Sequence, residues 1–411
     1  MNKKDIMEIK RRYTKEGCTF TKLCGCYVNS SKEKILTFRE NFLNLTDDEF
    51  FKYLEIAKKT LSGKLNNNLL ELEFPVDEEE MGGSQDTLMR LKASHLEDDE
   101  IINALYDKII QNYDKIDNYL ILCYHDAYDV PMKTDDNLAL DDSDEVYEYI
   151  IVAICPVDLS KPGLGYDVDD NKFAALERDW VVGACESAFV FPAFSERSTD
   201  IHHTLVYTKN VKEPHKELWE EVLRCESRYT SFQKKSAFEN IIAESLGSDE
   251  EENMDTMLDI QTNLTSYISE AEEKRADDEE PVKIKGADIQ PILEDSGFEE
   301  QEAEKISKKF DGFFSEELPL ADELVDDKLL KNSDIKLEKK ELQKQVVMMN
   351  QEMKAAGITK DDGSLPDILV RVPSVSTEKI QSSIVDGERY LLIPIENIQE
   401  AVINGEKVDL K

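Results

Sequence analysis

The opening stretch of the chain predicts one helix and two strands from the spacing of its apolar residues. Ile6, Ile9 and Tyr13 recur every three or four residues, so they share one face of a helix. Residues 20–28 and 34–42 are rich in β-branched and aromatic side chains, and a turn-forming Asn-Ser-Ser segment separates them. We therefore expect a basic helix followed by a pair of strands.

Two capping-box patterns predict further helices. Thr46 is followed three residues later by Glu49, directly before an apolar stretch. Ser94 and Glu97 repeat this spacing. The residues after them carry an apolar stripe at helical spacing: Ile101, Ile102, Leu105, Ile109, Ile110 and Tyr113. We expect one helix after each box.

Four apolar runs in the middle of the chain predict strands. They cover residues 119–130, 148–159, 181–194 and 201–209, and they are rich in Ile, Val, Tyr and Phe. The three gaps between them contain no convincing helix, which a parallel crossover usually requires. The predicted fold class is therefore α+β, with a mainly antiparallel sheet and flanking helices in the N-terminal part of the chain.

Shifts in composition divide the chain into three predicted regions. Residues 1–247 form an α+β scaffold domain. Residues 248–281 form an acidic helical linker, because they contain 13 acidic residues and only two basic ones. Residues 282–411 form a smaller α+β domain that ends in hairpins.

Short-range signals describe this smaller domain further. Residues 289–314 read as two short helices around a Ser-Gly pair, and residues 337–353 as another helix. Asp386-Gly387 and Asn404-Gly405 each separate two strand-like runs, which is typical of a tight β-hairpin. We therefore expect two hairpins at the end of the chain.

The distribution of charge limits the choice of partner. The chain of 411 residues contains 50 Lys and Arg against 89 Asp and Glu, a net charge of −39. The first 44 residues hold ten basic and five acidic side chains, a net +5, so the remainder carries −44. This excess of carboxylates repels phosphate backbones and anionic lipid. Outside the basic first 44 residues, we therefore expect nucleic acid to be a disfavoured partner and a membrane surface to be no partner.

Targeting and redox signals favour the cytoplasm. We find no apolar run long enough to span a membrane and no signal-peptide pattern at the start. The seven cysteines are scattered, which suits free thiols in a reducing compartment. Cys18, Cys24 and Cys26 form the densest group, but Cys-Gly-Cys is too tight for a zinc knuckle. We expect Cys24 and Cys26 to be buried on one strand face with Phe20 and Val28, with zinc and redox roles as the alternatives.

His125 and Asp126 are the first candidate catalytic residues. They end an apolar strand, and Asp129 lies close behind them. A His-Asp pair can bind a metal or relay a proton. Phosphohydrolases place such a doublet on helices with an earlier His, a part that only His95 can fill here. A structural pair at the end of a strand is the alternative interpretation.

Arg197, Asp200 and His202 are the second candidate group. They lie beside another apolar strand, and strand ends and loops often carry functional sites. In an extended chain Asp200 and His202 share one face while His203 takes the other. A polar strand terminus is the alternative interpretation.

No sequence motif indicates a cofactor or a metal ion. Residues 167–171 resemble a calcium loop, but Lys172 and Arg178 stand where an EF-hand requires Gly and Glu. Gly163 and Gly165 lack the third glycine of a dinucleotide loop. Walker A, His-Glu-x-x-His and Gly-x-Ser-x-Gly patterns are also absent from the sequence. We therefore assign no cofactor and no metal.

Four stretches are specific in combination. They are CTFTKLCGCYV (18–28), FFKYLEIAKKTLSG (50–63), LSKPGLGY (159–166) and RSTDIH (197–202). With them the chain resembles a family of uncharacterised cytosolic proteins from clostridia and related anaerobic bacteria, a domain of unknown function. The resemblance spans nearly the whole chain and implies a bacterial, cytosolic protein. It implies no activity, substrate or catalytic residue.

Three functional hypotheses follow. We favour a non-enzymatic cytosolic binding or regulatory protein with a protein partner, so an enzyme is the less favoured class. The second hypothesis is a hydrolase, or a metal- or ligand-binding enzyme, with its site at the strand ends. The third is an acidic mimic of nucleic acid. Convergence of His125-Asp126 with Asp200-His202 in one pocket supports the second hypothesis, and their separation removes it.

Overall fold

The computed structural model describes most of the chain. The described residues are 1–115, 117–133, 139–167, 171–175, 177–247, 250–274, 281–355, 379–393, 401–403 and 406–408. Contacts divide the chain into two compact units, Met1–Asp327 and Lys328–Lys411. Each unit is described by itself.

The first unit contains a large sheet and several groups of helices. Its described helices are α1 (Lys3–Arg11), α2 (Asp47–Thr60), α3 (Val76–Glu79), α4 (Ser84–Ala93), α5 (Asp99–Asn112), α6 (Ser231–Ala243), α7 (Glu250–Glu273), α8 (Gly286–Asp295) and α9 (Glu300–Phe313), with one π-helical segment at Leu218–Leu223. Its described strands are β1 (Phe20–Val28), β2 (Lys34–Asn41), β3 (Leu69–Glu73), β4 (Tyr119–Lys133), β5 (Ala139–Leu159), β6 (Leu164–Asp167), β7 (Lys172–Ala175), β8 (Trp180–Val182), β9 (Ser187–Phe191), β10 (Ala193–Ser195), β11 (Ser198–Asp200) and β12 (His203–Thr208).

The main sheet is antiparallel throughout its described pairings. Its strand order is β2-β1-β4-β5-β9-β12-β3, and β8 pairs with the far end of β5. The sequence-based fold class, an α+β fold with a mainly antiparallel sheet and flanking helices, is confirmed. The sequence-based reason holds for the centre of the sheet, because β4, β5, β9 and β12 follow one another in the chain without a crossover helix.

Both faces of the central strands are buried, which explains why these strands read as continuous apolar runs. On β4, Ile121 and Cys123 face one core, which packs against α4, α5 and Trp219 of the π-helical segment. Leu122 and Tyr124 face the other core, which packs against α1 and α2. We call these sides the α5 face and the α1 face of the sheet.

A third core lies among the helices α6 to α9. The acidic helix α7 buries Ile260, Leu264 and Ile268 there, against Phe238 of α6 and Phe310 of α9. Residues 250–273 are therefore an ordered amphipathic helix, and the carboxylates described on it, from Glu252 to Glu273, are exposed. The domain boundaries proposed after residues 247 and 281 stay predictions, and residues 275–280 of the expected linker lie outside the described part of the chain.

The second unit contains two hairpins and helix α10 (Asp327–Ala355) from its second residue onward. Strands β13 (Gln381–Val385) and β14 (Glu388–Leu392) pair across Asp386-Gly387, whose positive φ angles of 51° and 90° fit the predicted tight turn. Strands β15 (Ala401–Ile403) and β16 (Glu406–Val408) also pair, while the predicted turn at 404–405 lies outside the described residues. Among the described helices, none has the length and apolar composition that a membrane span requires.

The structure corrects three details of the sequence analysis. The expected strand at 181–194 is divided into β8, β9 and β10, and Pro192, which cannot donate a ladder hydrogen bond, separates β9 from β10. Phe20 lies on the α1 face, opposite Cys24 and Cys26, because the pairing of β1 with β4 shifts between Phe20 and Lys22. The box at 94–97 does not start a helix, because Asp98 caps α5 and accepts the amide of Ile101 at 3.1 Å. The short elements β3, α3 and α4 were not predicted.

Candidate functional site

His125 and Asp126 are adjacent on β4 but point to opposite faces of the sheet. His125 follows Cys123 onto the α5 face, where its Nε2 lies 3.0 Å from Glu148 Oε1. Asp126 follows Tyr124 onto the α1 face, where Tyr149 donates to it at 2.6 Å. Alternation of side chains along a strand forces this separation. The two residues therefore cannot act together as a His-Asp doublet.

On the α5 face, His125 belongs to a group of three side chains with metal-ligand chemistry. Glu148 Oε1 lies 2.9 Å from His95 Nε2 and 3.0 Å from His125 Nε2. The three ligand atoms all lie within 4.8 Å of one another. Two ligand atoms at tetrahedral positions, each about 2.1 Å from a metal ion, lie about 3.4 Å apart. The two distances at Glu148 are about 0.5 Å shorter than this, so a small outward movement of the side chains would let the three atoms bind one ion.

Strand register brings His125 and Glu148 together. His125 pairs with Ile150 across β4 and β5, and Glu148 is two residues from Ile150 on the same side of β5. Side chains in this diagonal relation lie within reach of each other when they are long. The pairing of β4 with β5 continues on either side of this point, so the two ligands are held by regular sheet structure.

His95 reaches the site from the turn between α4 and α5. His95 and Leu96 both have left-handed backbone angles, with φ of 55° and 63°. Such angles are uncommon for non-glycine residues and persist only where the surroundings hold them. Leu96 is fully buried in the core of the α5 face, and Ser94 closes α4 immediately before the turn. The buried leucine therefore anchors a turn that presents the imidazole of His95 to Glu148.

A β-bulge supplies the second partner of His125. The register of β1 against β4 shifts between Phe20 and Lys22, which makes Thr21 the extra residue. In this position Thr21 Oγ1 lies 2.6 Å from His125 Nδ1. A hydroxyl can donate or accept a hydrogen bond, so Thr21 can hold the imidazole in either neutral tautomer. Bulges are common beside functional sites because they redirect one side chain.

The electrostatic surroundings suit a neutral His125. Burial lowers the pKa of His125, and the hydrogen bond with Glu148 opposes that shift only in part. A metal ion binds the neutral imidazole, so the lowered pKa keeps the ligand form available near neutral pH. Lys92 Nζ lies 3.8 Å from Glu148 Oε2. The ammonium group is therefore beside the carboxylate oxygen that neither histidine contacts.

Exposure increases steadily across the group. The side chain of His125 is 2% exposed, that of Glu148 is 28% exposed and that of His95 is 59% exposed. The buried end is held by the sheet and by Thr21, and the open end faces solvent beside His95. An ion can therefore enter from the side of the α4–α5 turn. The coordination positions that no protein ligand fills face the same side.

The shared carboxylate distinguishes this site from the other histidines of the chain. All five histidines have a carboxylate oxygen within 3.0 Å, as expected in so acidic a protein. Glu148 is the carboxylate that two of them share. Within the described residues, His95, His125 and Glu148 are also the group of three or more potential ligands whose ligand atoms meet closely enough for one ion.

Asp126 occupies a closed network on the α1 face. It accepts hydrogen bonds from Thr19 Oγ1 at 2.6 Å, Tyr149 at 2.6 Å and Arg12 at 3.3 Å. The Tyr149 hydroxyl also lies 3.0 Å from that of Tyr13. Asp126 is only 1% exposed, and its donors come from the sheet and from the segment that follows α1. The network joins this segment to the sheet and leaves little room for a ligand.

The remaining predicted residues form separate local contacts. Arg197 donates to Glu8 and to the Pro131 carbonyl, from a two-residue hairpin turn between β10 and β11. Asp200 Oδ2 lies 2.8 Å from His203 Nδ1. His202 Nδ1 lies 2.7 Å from Glu79 of α3. Asp129 is exposed on β4.

The two predicted strand ends do not meet. Strands β5 and β9 lie between β4 and β12, a separation of about 14 Å at the usual strand spacing. His125-Asp126 and Asp200-His202 share no cavity found in the described part of the chain. The geometric condition set for a joint site is therefore not met, and catalytic roles for these residues stay predictions.

Sequence reasoning missed Glu148 and considered His95 only as the earlier His that accompanies a His-Asp doublet in phosphohydrolases. The three ligands lie 30 and 23 residues apart in the chain, so no short motif connects them. A weak signal was available, because Glu148 is a charged residue at the start of a predicted strand. Its partner became evident only from the register of that strand.

Comparison with known proteins finds a family model but no individual relative. No curated protein and no solved structure matches the chain. One family model, described as a domain of unknown function (DUF4317), matches residues 1–405. This match confirms the expected relation to a family of unknown function. Because it covers nearly the entire sequence, the chain belongs to the DUF4317 family.

Proposed function

We propose that this protein binds a divalent transition-metal ion through His95, His125 and Glu148, with Zn²⁺ as the first choice. The observation that carries this proposal is the sharing of one carboxylate oxygen by two imidazole nitrogens at 2.9 and 3.0 Å. Two imidazoles and a carboxylate are a ligand set of zinc and of non-haem iron, whereas Mg²⁺ and Ca²⁺ prefer oxygen ligands alone.

The number of ligands bears on what a bound ion would do. Structural zinc sites close the coordination sphere with four protein ligands, whereas catalytic sites keep three and leave a position for water or substrate. Three ligands with one exposed edge belong to the second type. When bound, such an ion supplies a Lewis acid or an activated water. The residues of this chain contribute the orientation of His125 by Thr21 and the neutralisation of Glu148 Oε2 by Lys92.

The metal proposal shares only His125 and a metal-binding role with the second sequence-based hypothesis, and it does not use the joint site at the strand ends. The first hypothesis, a non-enzymatic binding or regulatory protein, stays a prediction, since a metal site of this kind serves regulation as readily as catalysis. The nucleic-acid mimic also stays a prediction. The charge of −39 supports the view that nucleic acid and membranes are not partners.

A cytosolic location and a clostridial origin are part of the proposal. The support for the location is the state of the thiols, because all seven cysteines are buried and none is in a disulfide. The support for the origin is the sequence resemblance given above. Fractionation of the source organism would test the location directly.

Metal titration tests the proposed function. The purified chain, freed of metal by a chelator and dialysed, is titrated with Zn²⁺ by calorimetry and with Co²⁺ by visible absorption. We expect one equivalent to bind, and His95→Gln to weaken binding at least about 100-fold, because a direct ligand matters at least as much as an outer-shell residue. His95 is exposed, so the variant is expected to keep the fold.

His215→Gln is the matched control. His215 also lies 2.7 Å from a carboxylate, Glu217, but no second histidine shares that carboxylate. We expect the control to bind Zn²⁺ as the unmodified chain does. Stoichiometric binding that survives His95→Gln, or no binding to the unmodified chain, would remove the proposal.

A further inference from the structure

A cavity at the other end of α4 contains a serine and a lysine in direct contact. Lys108 Nζ lies 2.8 Å from Ser84 Oγ, and both side chains line a cavity of about 480 Å³. Ser84 is the first residue of α4, and His95 lies two residues beyond the last, Ala93. At 1.5 Å per residue, α4 is about 15 Å long, so this cavity and the metal site are separate.

Three elements hold the pair in place. Ser84 follows Gly82 and Gly83, and a Cβ on Gly83 would lie 2.2 Å from the Glu78 carbonyl oxygen, so only glycine fits there. Lys108 comes from α5. Ser84 Oγ also lies 3.3 Å from the carbonyl of Val222, in the π-helical segment. The serine is therefore fixed by the packing of α4, α5 and the π-helical segment.

Burial lowers the pKa of Lys108, and the nearby charge of Arg224 lowers it further against the opposing effect of Glu78 and Glu221. A lysine with a lowered pKa can serve as a general base, because a larger fraction of it is neutral near physiological pH. The charged form donates to Ser84 Oγ, which leaves the serine hydrogen for the Val222 carbonyl. Once Lys108 is neutral, the hydroxyl can turn and donate to Nζ instead.

We infer that Ser84 and Lys108 form a Ser-Lys dyad that hydrolyses an uncharged ester with a short apolar acyl group. Ser–Lys pairs are an established variant of the serine nucleophile with a general base. The proposal does not depend on the metal site and goes beyond it.

The reaction balances within the dyad and the solvent. Ser84 Oγ forms a bond to the ester carbonyl carbon as its proton passes to neutral Lys108. The carbon–oxygen bond to the alcohol then breaks, and Lys108 returns the proton to the leaving oxygen. Water attacks the acyl-serine with Lys108 again as base, which releases the carboxylic acid and restores Ser84. The Gln85 and Asp86 amides in the first turn of α4 are the candidate donors to the developing oxyanion, because the Ser84 and Thr87 amides donate to Glu78 and Gly83.

The lining of the cavity sets the class of substrate. Leu88, Leu105 and Leu223 give it an apolar wall. Its three carboxylates outnumber its two cations, which disfavours anionic substrates; the carboxylates are Asp77, Glu78 and Glu80, and the cations are Lys108 and Arg224. Glu78 accepts a hydrogen bond from the Ser84 amide at 2.7 Å. The backbone donor nearest the nucleophile is therefore already bonded. A short uncharged acyl ester meets these conditions better than a phosphorylated or carboxylated one.

The test is covalent labelling of the full chain by a fluorophosphonate probe, followed by peptide mass spectrometry. We expect native protein to be labelled at Ser84, and the rate to rise with pH as Lys108 loses its proton. Lys108→Met is expected to slow labelling at least about 100-fold, within the usual range for a general base. Hydrolysis of p-nitrophenyl butyrate is expected to follow the same pattern.

Ser296→Ala is the control, since Ser296 is a buried serine whose contacts are Asn263 and the Ile292 carbonyl rather than a lysine. It is expected to be labelled at Ser84 as the unmodified chain is. Three results would overturn the dyad: no labelling of folded, unmodified protein above that of denatured protein, labelling that persists in Ser84→Ala, or equal labelling rates in Lys108→Met. Circular dichroism of each variant shows whether it is folded, and the comparison of native with denatured protein holds even if a variant is not.

Discussion

The two faces of the sheet at His125 and Asp126 show opposite ways to bury a polar side chain. On the α1 face, Asp126 receives hydrogen bonds from three different side chains and is closed from solvent. On the α5 face, His125 shares one carboxylate oxygen with a second histidine, and the group opens to solvent at His95. A fully satisfied network contributes to stability, whereas a shared acceptor with an open edge can exchange a proton for a metal ion. Four changes test this contrast.

The largest expected effect is that of Asp126→Ala on stability. We expect the free energy of unfolding to fall by about 3 kcal/mol, because Arg12 and Tyr149 would lose a buried partner. Urea unfolding followed by circular dichroism measures the change. Asp129→Ala is the control on the same strand, and we expect it to change stability by less than about 0.5 kcal/mol. A folded Asp126→Ala variant that lost only metal affinity would contradict the contrast between the faces.

Glu148→Gln should have the converse effect. Without metal, its free energy of unfolding should change by about 1 kcal/mol or less, since Glu148 is partly exposed. Zn²⁺ at 100 times its dissociation constant should stabilise the unmodified chain by about 2.7 kcal/mol and the variant not at all. Thermal unfolding with and without Zn²⁺ measures both quantities. Glu217→Gln serves as the control, and the hypothesis fails if both variants respond to Zn²⁺ alike.

Two threonines on either side of Phe20 compare the faces with one kind of substitution. Thr21→Val should weaken Zn²⁺ binding about 10-fold, because the outer partner of His125 is lost. Thr19→Val should leave Zn²⁺ binding unchanged and lower stability by about 1 kcal/mol, because Asp126 loses a donor. Calorimetric titration and urea unfolding of both variants give the four values. Equal effects on metal binding would mean that the faces are coupled.

The smallest effect concerns an isolated histidine. The hydrogen bond that His202 donates to Glu79 raises the pKa of His202 above its ordinary value. This contact therefore stabilises the fold fully below the unfolded pKa of about 6.5, and the contribution disappears as pH rises through the higher folded pKa. Because His202 is exposed, we expect only a few tenths of a kcal/mol. Unfolding of the unmodified chain and of His202→Asn from pH 5 to 8 should show curves that meet at the alkaline end. A difference in the free energy of unfolding that stays constant from pH 5 to 8 would contradict this prediction.

Much of the fold could be predicted because its signals are local. The apolar runs that form β4, β5 and β12 have the length and composition that are typical of buried strands. The gaps between them contain no crossover helix. Asp386-Gly387 specifies its turn through the positive φ angles that the pair tolerates. Features that depend on residues distant in the chain could not be predicted from the sequence. Strand β3 is five residues long and is stabilised at the sheet edge by β12, and the bulge at Thr21 exists only in relation to β4.

The candidate site divides in the same way. The sequence by itself determined that His125 and Asp126 lie in a strand, and a period of two then places them on opposite faces. Only the tertiary structure decided which groups each would meet. The register of β4 with β5 selects Glu148, and the buried Leu96 holds the turn that presents His95. The physical reason is that a ligand set depends on distances of about 3 Å between residues far apart in the chain, and packing rather than local pattern sets those distances.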